Sequence, residues 1–448
     1  MVEAAELARE RRADLLQRLA GCIARREVVA QAGKYIDGLT ADLPRKNGWT
    51  LAEHAGDHTP DRMQRLLNHA VWDHLQAQQV VGEFAIDHLA GPEAVVVLDE
   101  SGQEKAGTDT VGVKRQYVGC AGKITNAVNV VYASYATARG HAIVGARLYL
   151  PVEWAEDADR RRRAGVPDEI GFATKPELAC QILAELHTTG RLPGWVTGDE
   201  VYGNNPTLRA WCEQYQVGYV LGVPCSFTVT LGCGTTMRAD EATTLVGKRG
   251  WNYRSAGAGS KGTRDYAWAW TATTSEHHSL LVRRNLKDPT DLAYFYCYSP
   301  PKRPPATLAV LVRVAGMRWP VEEDFRTGKD HFGLDHSQVR LYTPTATPPS
   351  SDRRRAGHLH GHRHHHATAH KHPAPTTSRP RPATTARPRP DPVDRGRSQT
   401  PVQPGHPHYL GRDAPPAMDP METPPPSPRP LVPPPRTPTT PTPHTMIN

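Results

Sequence analysis

This chain of 448 residues lacks paired cysteines and long apolar runs, and beyond Tyr342 it has almost no aromatic residues. Its seven cysteines (Cys22, Cys120, Cys180, Cys212, Cys225, Cys233 and Cys297) are odd in number, and none forms a C-x-x-C pair. That excludes a disulfide framework and a zinc knuckle, and predicts reduced thiols. No stretch approaches the roughly 18 apolar residues of a membrane span. The N-terminus, with Glu3, Glu6, Arg9, Glu10, Arg11 and Arg12, has no signal-peptide core. A cytoplasmic location is expected. Net charge is also missing where it would be most telling. The first 342 residues carry 40 Lys+Arg and 40 Asp+Glu, and the whole +8 comes from the segment after them. The basic balance therefore says little about the folded part, and any nucleic-acid affinity must come from local patches.

The segment from Thr343 onward holds 27 of the 42 prolines, 11 of the 22 histidines and a single aromatic residue, Tyr409. It buries too little apolar surface to offset chain entropy, so residues 343–448 read as a disordered tail. His364, His365 and His366 have no organised surroundings for a metal, and the prolines between Pro424 and Pro435 suit polyproline II.

Residues 1–90 read as a helical domain, with Leu15, Leu16, Leu19 and Ile23 at helical spacing. Within it, residues 49–67 suggest a helix-turn-helix. Leu51, Ala52 and Ala55 form a short helix and Gly56 allows the turn. Thr59 is placed as N-cap, with Pro60 at the first helical position. Arg62, Gln64 and Arg65 on the second helix would then enter a DNA groove, or would simply be solvated.

Residues 91–224 read as β-β-β-α-β-α-β, a mixed sheet with flanking helices. The strand runs are Val95–Leu98, Ala127–Tyr135, Ala142–Leu150, Trp195–Thr197 and Tyr219–Val223. The helices are Pro176–His187 and Pro206–Gln214. Residues 225–304 form a β-rich insertion. Trp251 and Tyr253 alternate, as do Tyr266, Trp268 and Trp270, around a glycine-rich turn. Gly257, Gly259 and Gly262 have dinucleotide-fingerprint spacing but open no helix, so a hairpin is expected. Arg160 to Arg163 suits either phosphate or a solvated loop. Residues 305–342 close the core with a further helix.

Arg318, Glu322 and Lys329, spaced four and then seven apart, return to one face of that last helix. A carboxylate between two cations suits a divalent metal and phosphate. Asp99 and Asp199 each end an apolar strand run upstream. Three carboxylates in this order point to a metal-dependent nuclease acting on DNA. Taken singly, each aspartate also fits a strand-end turn, Glu322 an ordinary i,i+4 partner of Arg318, and Trp319 a core residue. Glu100, Glu200 and Glu323 are the neighbouring rivals.

Three blocks carry a family resemblance: Val97 to Gly102, Thr197 to Gly203, and Arg318 to Lys329 with Gly333-Leu334-Asp335. With Lys46 to Trp49 and Gly112 to Tyr117, the chain resembles the DDE transposases of bacterial insertion sequences, in the branch with a tyrosine-arginine-glutamate-lysine signature. The resemblance implies an RNase H-like α/β core and a catalytic, metal-holding triad of Asp99, Asp199 and Glu322. It implies two Mg²⁺ ions, with Mn²⁺ as substitute, and DNA contacts from Arg318, Trp319 and Lys329. The implied partners are double-stranded DNA, at element ends and target, and a second copy of the chain in the DNA complex, near the bacterial nucleoid. The signature tyrosine falls at Ala315, which removes a phosphate or stacking contact. The resemblance implies an apolar helix after Tyr342, so the composition beyond it reads as a shifted reading frame, or else as a genuine disordered tail that adds non-specific DNA affinity. The competing reading is an inactive remnant that only binds element ends; a third is an interaction protein working through its proline-rich tail.

Overall fold

The computed structural model describes residues 2–342, apart from Val71, Cys120, Ala121, Ser260, Lys261 and Pro304. The described residues all fall in one unit. The expected disordered tail and the reading-frame question lie outside the described residues.

Five helices come first: α1 (Val2–Ala20), α2 (Arg26–Thr40), α3 (Gly48–His54), α4 (Asp61–Asn68) and α5 (His74–Leu89). Helix α3 starts at a capping box, in which Asn47 accepts from the Trp49 and Thr50 amides and Thr50 answers the Asn47 amide. Leu51 and Ala52 of α3 bury against Met63 and Leu66 of α4. The turn between them uses Gly56 at φ +70. The expected helix start shifts by one residue: Pro60 is itself the N-cap, and Thr59 Oγ1 donates to Asp61 Oδ2 at 3.0 Å.

The centre of the chain gives β1 (Val95–Glu104), β2 (Lys114–Val118), β3 (Lys123–Thr137), β4 (Gly140–Leu148), α6 (Val152–Ala155), α7 (Ala158–Ala164), α8 (Lys175–Thr188), β5 (Trp195–Gly198), α9 (Glu200–Gly203), α10 (Pro206–Gln214) and β6 (Gly218–Val223). Then come β7 (Thr228–Thr230), β8 (Thr236–Arg238), α11 (Ala239–Thr244), β9 (Asn252–Gly259), β10 (Gly262–Ala272), β11 (His278–Asn285), β12 (Leu292–Tyr298), α12 (Leu308–Gly316) and α13 (Trp319–Asp330).

Among the described residues, ten strands form one mixed sheet in the order β2-β3-β1-β5-β6-β12-β11-β10-β9, with β4 also on β3. β1 runs parallel to β5, and β5 to β6, while β3 and β4 are antiparallel additions. This is the RNase H-like arrangement expected. Within the β-rich segment only the short β7–β8 ribbon forms a separate sheet among the described residues. β12 pairs antiparallel with β6, so β9 to β12 extend the core sheet. Gly259 pairs with Gly262, which makes the glycine cluster a hairpin.

Both faces of the sheet are covered, and β1 shows how. Val96 and Leu98 pack with α5, α8 and α10 residues such as Ile86, Ile182 and Leu208. Val95 packs with Leu311, Val312 and Val314 of α12, and Val97 with Val321 of α13. Alternate residues of a strand reach opposite faces, so a strand covered on both sides reads as an unbroken apolar run.

Strand β2 and helices α6 and α7 escape sequence periodicity because they are short and mostly exposed. The four-arginine run is helical. Arg160 stacks on Trp154 at 3.7 Å, Arg161 donates to Ala155 and Pro167 carbonyls, and Arg162 pairs with Asp159.

Candidate active site

The register of two strands builds the centre of the site. Val96, Val97 and Leu98 pair with Val196, Thr197 and Gly198 in parallel, so Asp99 and Asp199 follow at the same level. Neighbouring strands lie about 4.8 Å apart, which brings the two carboxylates to one edge of the sheet. Backbone packing fixes that edge. A Cβ on Gly203 would come within 1.8 Å of the Gly222 carbonyl oxygen, so the turn carrying Asp199 can sit this close to β6 only because residue 203 has no side chain. Asp199 Oδ1 accepts from the Val201 amide at 2.9 Å, and Asp99 Oδ1 from the Glu100 amide at 2.8 Å.

Burial pushes the Asp99 carboxyl up to about 7. Arg318 pulls it down, and the like charges of Asp199 and Glu100 add to the rise. The Asp199 carboxyl also rises, through burial first and Glu100 second, with Arg318 again opposing. Two desolvated carboxylates that repel each other form a site for a cation. Their oxygens are the donors that a hard divalent ion takes.

Glu322 lies in the first turn of α13, where the helix dipole favours negative charge. It is half-exposed and stands 3.6 Å from Arg318. Arg318 therefore acts on all three carboxylates, and its buried Nε has no hydrogen-bond partner among the described residues. No three His, Cys, Asp or Glu side chains among the described residues stand close enough to share one ion. The aspartate pair fits a divalent cation; Glu322, held by Arg318, is not gathered with it. Lys329 is on the last turn of α13, about 10 Å along the axis from Glu322.

Trp319 lines a cleft of about 750 Å³ together with Tyr253, Arg254, Arg313 and Glu323. Arg264 lies 5.5 Å above the Trp319 ring and donates to the Ala256 and Gly316 carbonyls, tying the β9–β10 hairpin to the end of α12. Ala315 points into the core beneath, packed in the cluster of Trp268 and Phe295. On α4, Arg62 and Arg65 are exposed. Gln64 is half-buried and lines a groove with Trp49 and Phe332. These three residues belong to a helical cluster with its own core, not to the aspartate edge.

Sequence reasoning missed the surroundings of Glu100. Lys175 Nζ donates to Glu100 Oε1 at 2.5 Å, and the buried Tyr202 hydroxyl to Oε2 at 2.9 Å. Tyr202 sits inside the block around Asp199, a usable signal; Lys175 has none, because only the fold brings α8 to β1. Arg264 was likewise hidden inside the hairpin.

Residues 18–268 match the family model described as DDE superfamily endonuclease. A stretch of 196 residues is 28% identical to a protein of Microchaete diplosiphon described as a probable transposase for insertion sequence element IS701. That stretch is 43% of this chain and 48% of the relative, so the chain spans about half the length of the curated relative it matches. With more than half of its length matched by the family model, the chain belongs to the DDE superfamily of endonucleases.

Proposed function

We propose that this chain is a transposase that cuts double-stranded DNA at the ends of an insertion sequence and joins the freed 3′-hydroxyls to target DNA. The observation that carries this is the level placement of Asp99 and Asp199 on neighbouring parallel strands, in a chain of the DDE superfamily. Asp99, Asp199 and Glu322 are the catalytic and metal-holding residues. When bound there, two Mg²⁺ ions (or Mn²⁺) supply activation of the attacking oxygen and stabilisation of the leaving one. The chain's own residues do the rest. Asp99 and Asp199 offer a dry, doubly anionic edge. Arg318 neutralises it in the resting protein and is free to take a backbone phosphate when the carboxylates bind a cation.

Lys329 holds phosphate farther along the same helix face. Trp319, in the lining of its cleft, suits an unpaired base. Residues 1–90 recognise the element end, with Arg62 and Arg65 facing outward and Gln64 in the adjoining groove. Residues 225–304 are the insertion between the 91–224 core and its completing segment, 305–342. Two copies would act together on paired ends, at the bacterial nucleoid.

The test uses duplexes cloned from the DNA flanking this chain's own coding region. With Mg²⁺, the full chain should nick them at defined positions. Failure to nick under Mg²⁺ or Mn²⁺ while binding the same duplex would overturn the reading in favour of a binding-only protein.

A further inference from the structure

Helix α13 carries Glu322 on one flank and meets the sheet with another. Val321 is fully buried against Val97 and Ala136, and the Phe325 ring tilts against Tyr132 at 5.2 Å. Asp324, its side chain only 10% exposed, lies between these two contacts. Positions 321, 324, 325 and 328 form the inward stripe. Apolar burial has no direction, so two such contacts leave the rotation of a short helix loosely set.

Hydrogen bonds are directional, and Asp324 makes two. Its Oδ2 accepts from the Ser134 hydroxyl on β3, and its Oδ1 from His141 Nδ1 on β4 at 2.7 Å. His141 Nε2 also stands 3.5 Å from Glu323. Ala136 and His141 are paired across these adjacent strands, so the anchor is built on the rigid sheet. A buried carboxylate is costly unless fully bonded, and a polar anchor of this kind sets register better than it adds stability.

We propose that Ser134 and His141, acting through Asp324, are positioning residues for Glu322. They fix the rotation of α13 so that its flank of Arg318, Glu322 and Lys329 is turned toward the side of the Asp99–Asp199 pair, where Arg318 already acts on both aspartates. The catalytic consequence rests on the transposase reading above.

The experiment compares the full wild-type chain with His141→Ala, Ser134→Ala, His141→Asn and Ser134→Thr, using the flanking-DNA duplex. His141→Asn keeps a donor near the Nδ1 position, and Ser134→Thr keeps the hydroxyl. Single-turnover nicking should fall about ten- to a hundredfold in the alanine variants, with affinity for the duplex changed less than about twofold. The Asn and Thr variants should recover most of the rate, which a general loss of stability would not produce. Asp324→Asn should show the same rate loss and serves where an alanine variant does not fold. Amide exchange in residues 319–325 should quicken in the alanine variants. If these nick at the wild-type rate while Glu322→Gln does not nick, the positioning inference is overturned and the transposase reading stands. If the wild type does not nick, that reading falls, and exchange decides alone: unchanged protection of α13 overturns the inference.

Discussion

Asp99, midway along β1, and Asp199, one residue past the end of β5, stand at the same level on neighbouring parallel strands. Exchanging either for asparagine, or Glu322 for glutamine, keeps shape and removes one negative charge. Each variant should lose at least about a hundredfold in nicking, since several kcal/mol of transition-state stabilisation go with the metal. Binding to the flanking duplex should survive. A variant that nicks normally removes that residue from the triad.

The Asp99 carboxyl, pushed up to about 7 from an unfolded value of 3.8, links stability to pH. The unfolded chain gives up this proton first. Stability is therefore lost as pH rises from 3.8 to 7, and the penalty is complete above that window. The shift corresponds to on the order of 4 kcal/mol. Without metal, Asp99→Asn should gain more in urea unfolding at alkaline than at acid pH. An equal gain at both would contradict the linkage.

His141 titrates with the opposite sign. Its hydrogen bond to Asp324 raises it above 6.5, against a lowering by burial. The imidazolium therefore stabilises the fold fully below the unfolded value, and this is lost as pH rises through the higher folded value. The pH dependence of melting between mildly acid and mildly alkaline buffer should flatten in His141→Asn. NMR titration of the ring checks the direction of the shift.

Gly203→Ala should destabilise by about 2–3 kcal/mol or more, because the new methyl meets the β6 backbone and not a movable side chain. Circular-dichroism melting reads this directly. A neutral result would mean that the turn at Asp199 can retreat from β6.

Lys175→Met strips the ammonium from a mostly buried Glu100, while Tyr202 still donates one bond. A loss of about 1–3 kcal/mol is expected. Lys175→Arg should restore most of it. If Met and Arg variants melt alike, the pair contributes nothing to the fold.

Much of this protein is decided locally. Apolar runs and caps act over a few residues, so the apolar runs leading to Asp99 and Asp199 and the shared helix face of Arg318, Glu322 and Lys329 are legible in the sequence, whereas the continuation of β1 past Asp99 to Glu104, set by its pairing with β3, is not. The β9–β10 hairpin is legible for the same reason, through its alternation and glycines. Other features depend on which strands become neighbours. Lys175 meets Glu100 across 75 residues, and His141 meets Asp324 across 183. No periodicity encodes such pairings, because they arise only once the sheet order and the docking of α8 and α13 are set. The same holds for the extension of the core sheet by β9 to β12, and for Arg318 standing among three carboxylates that the sequence could only align in order.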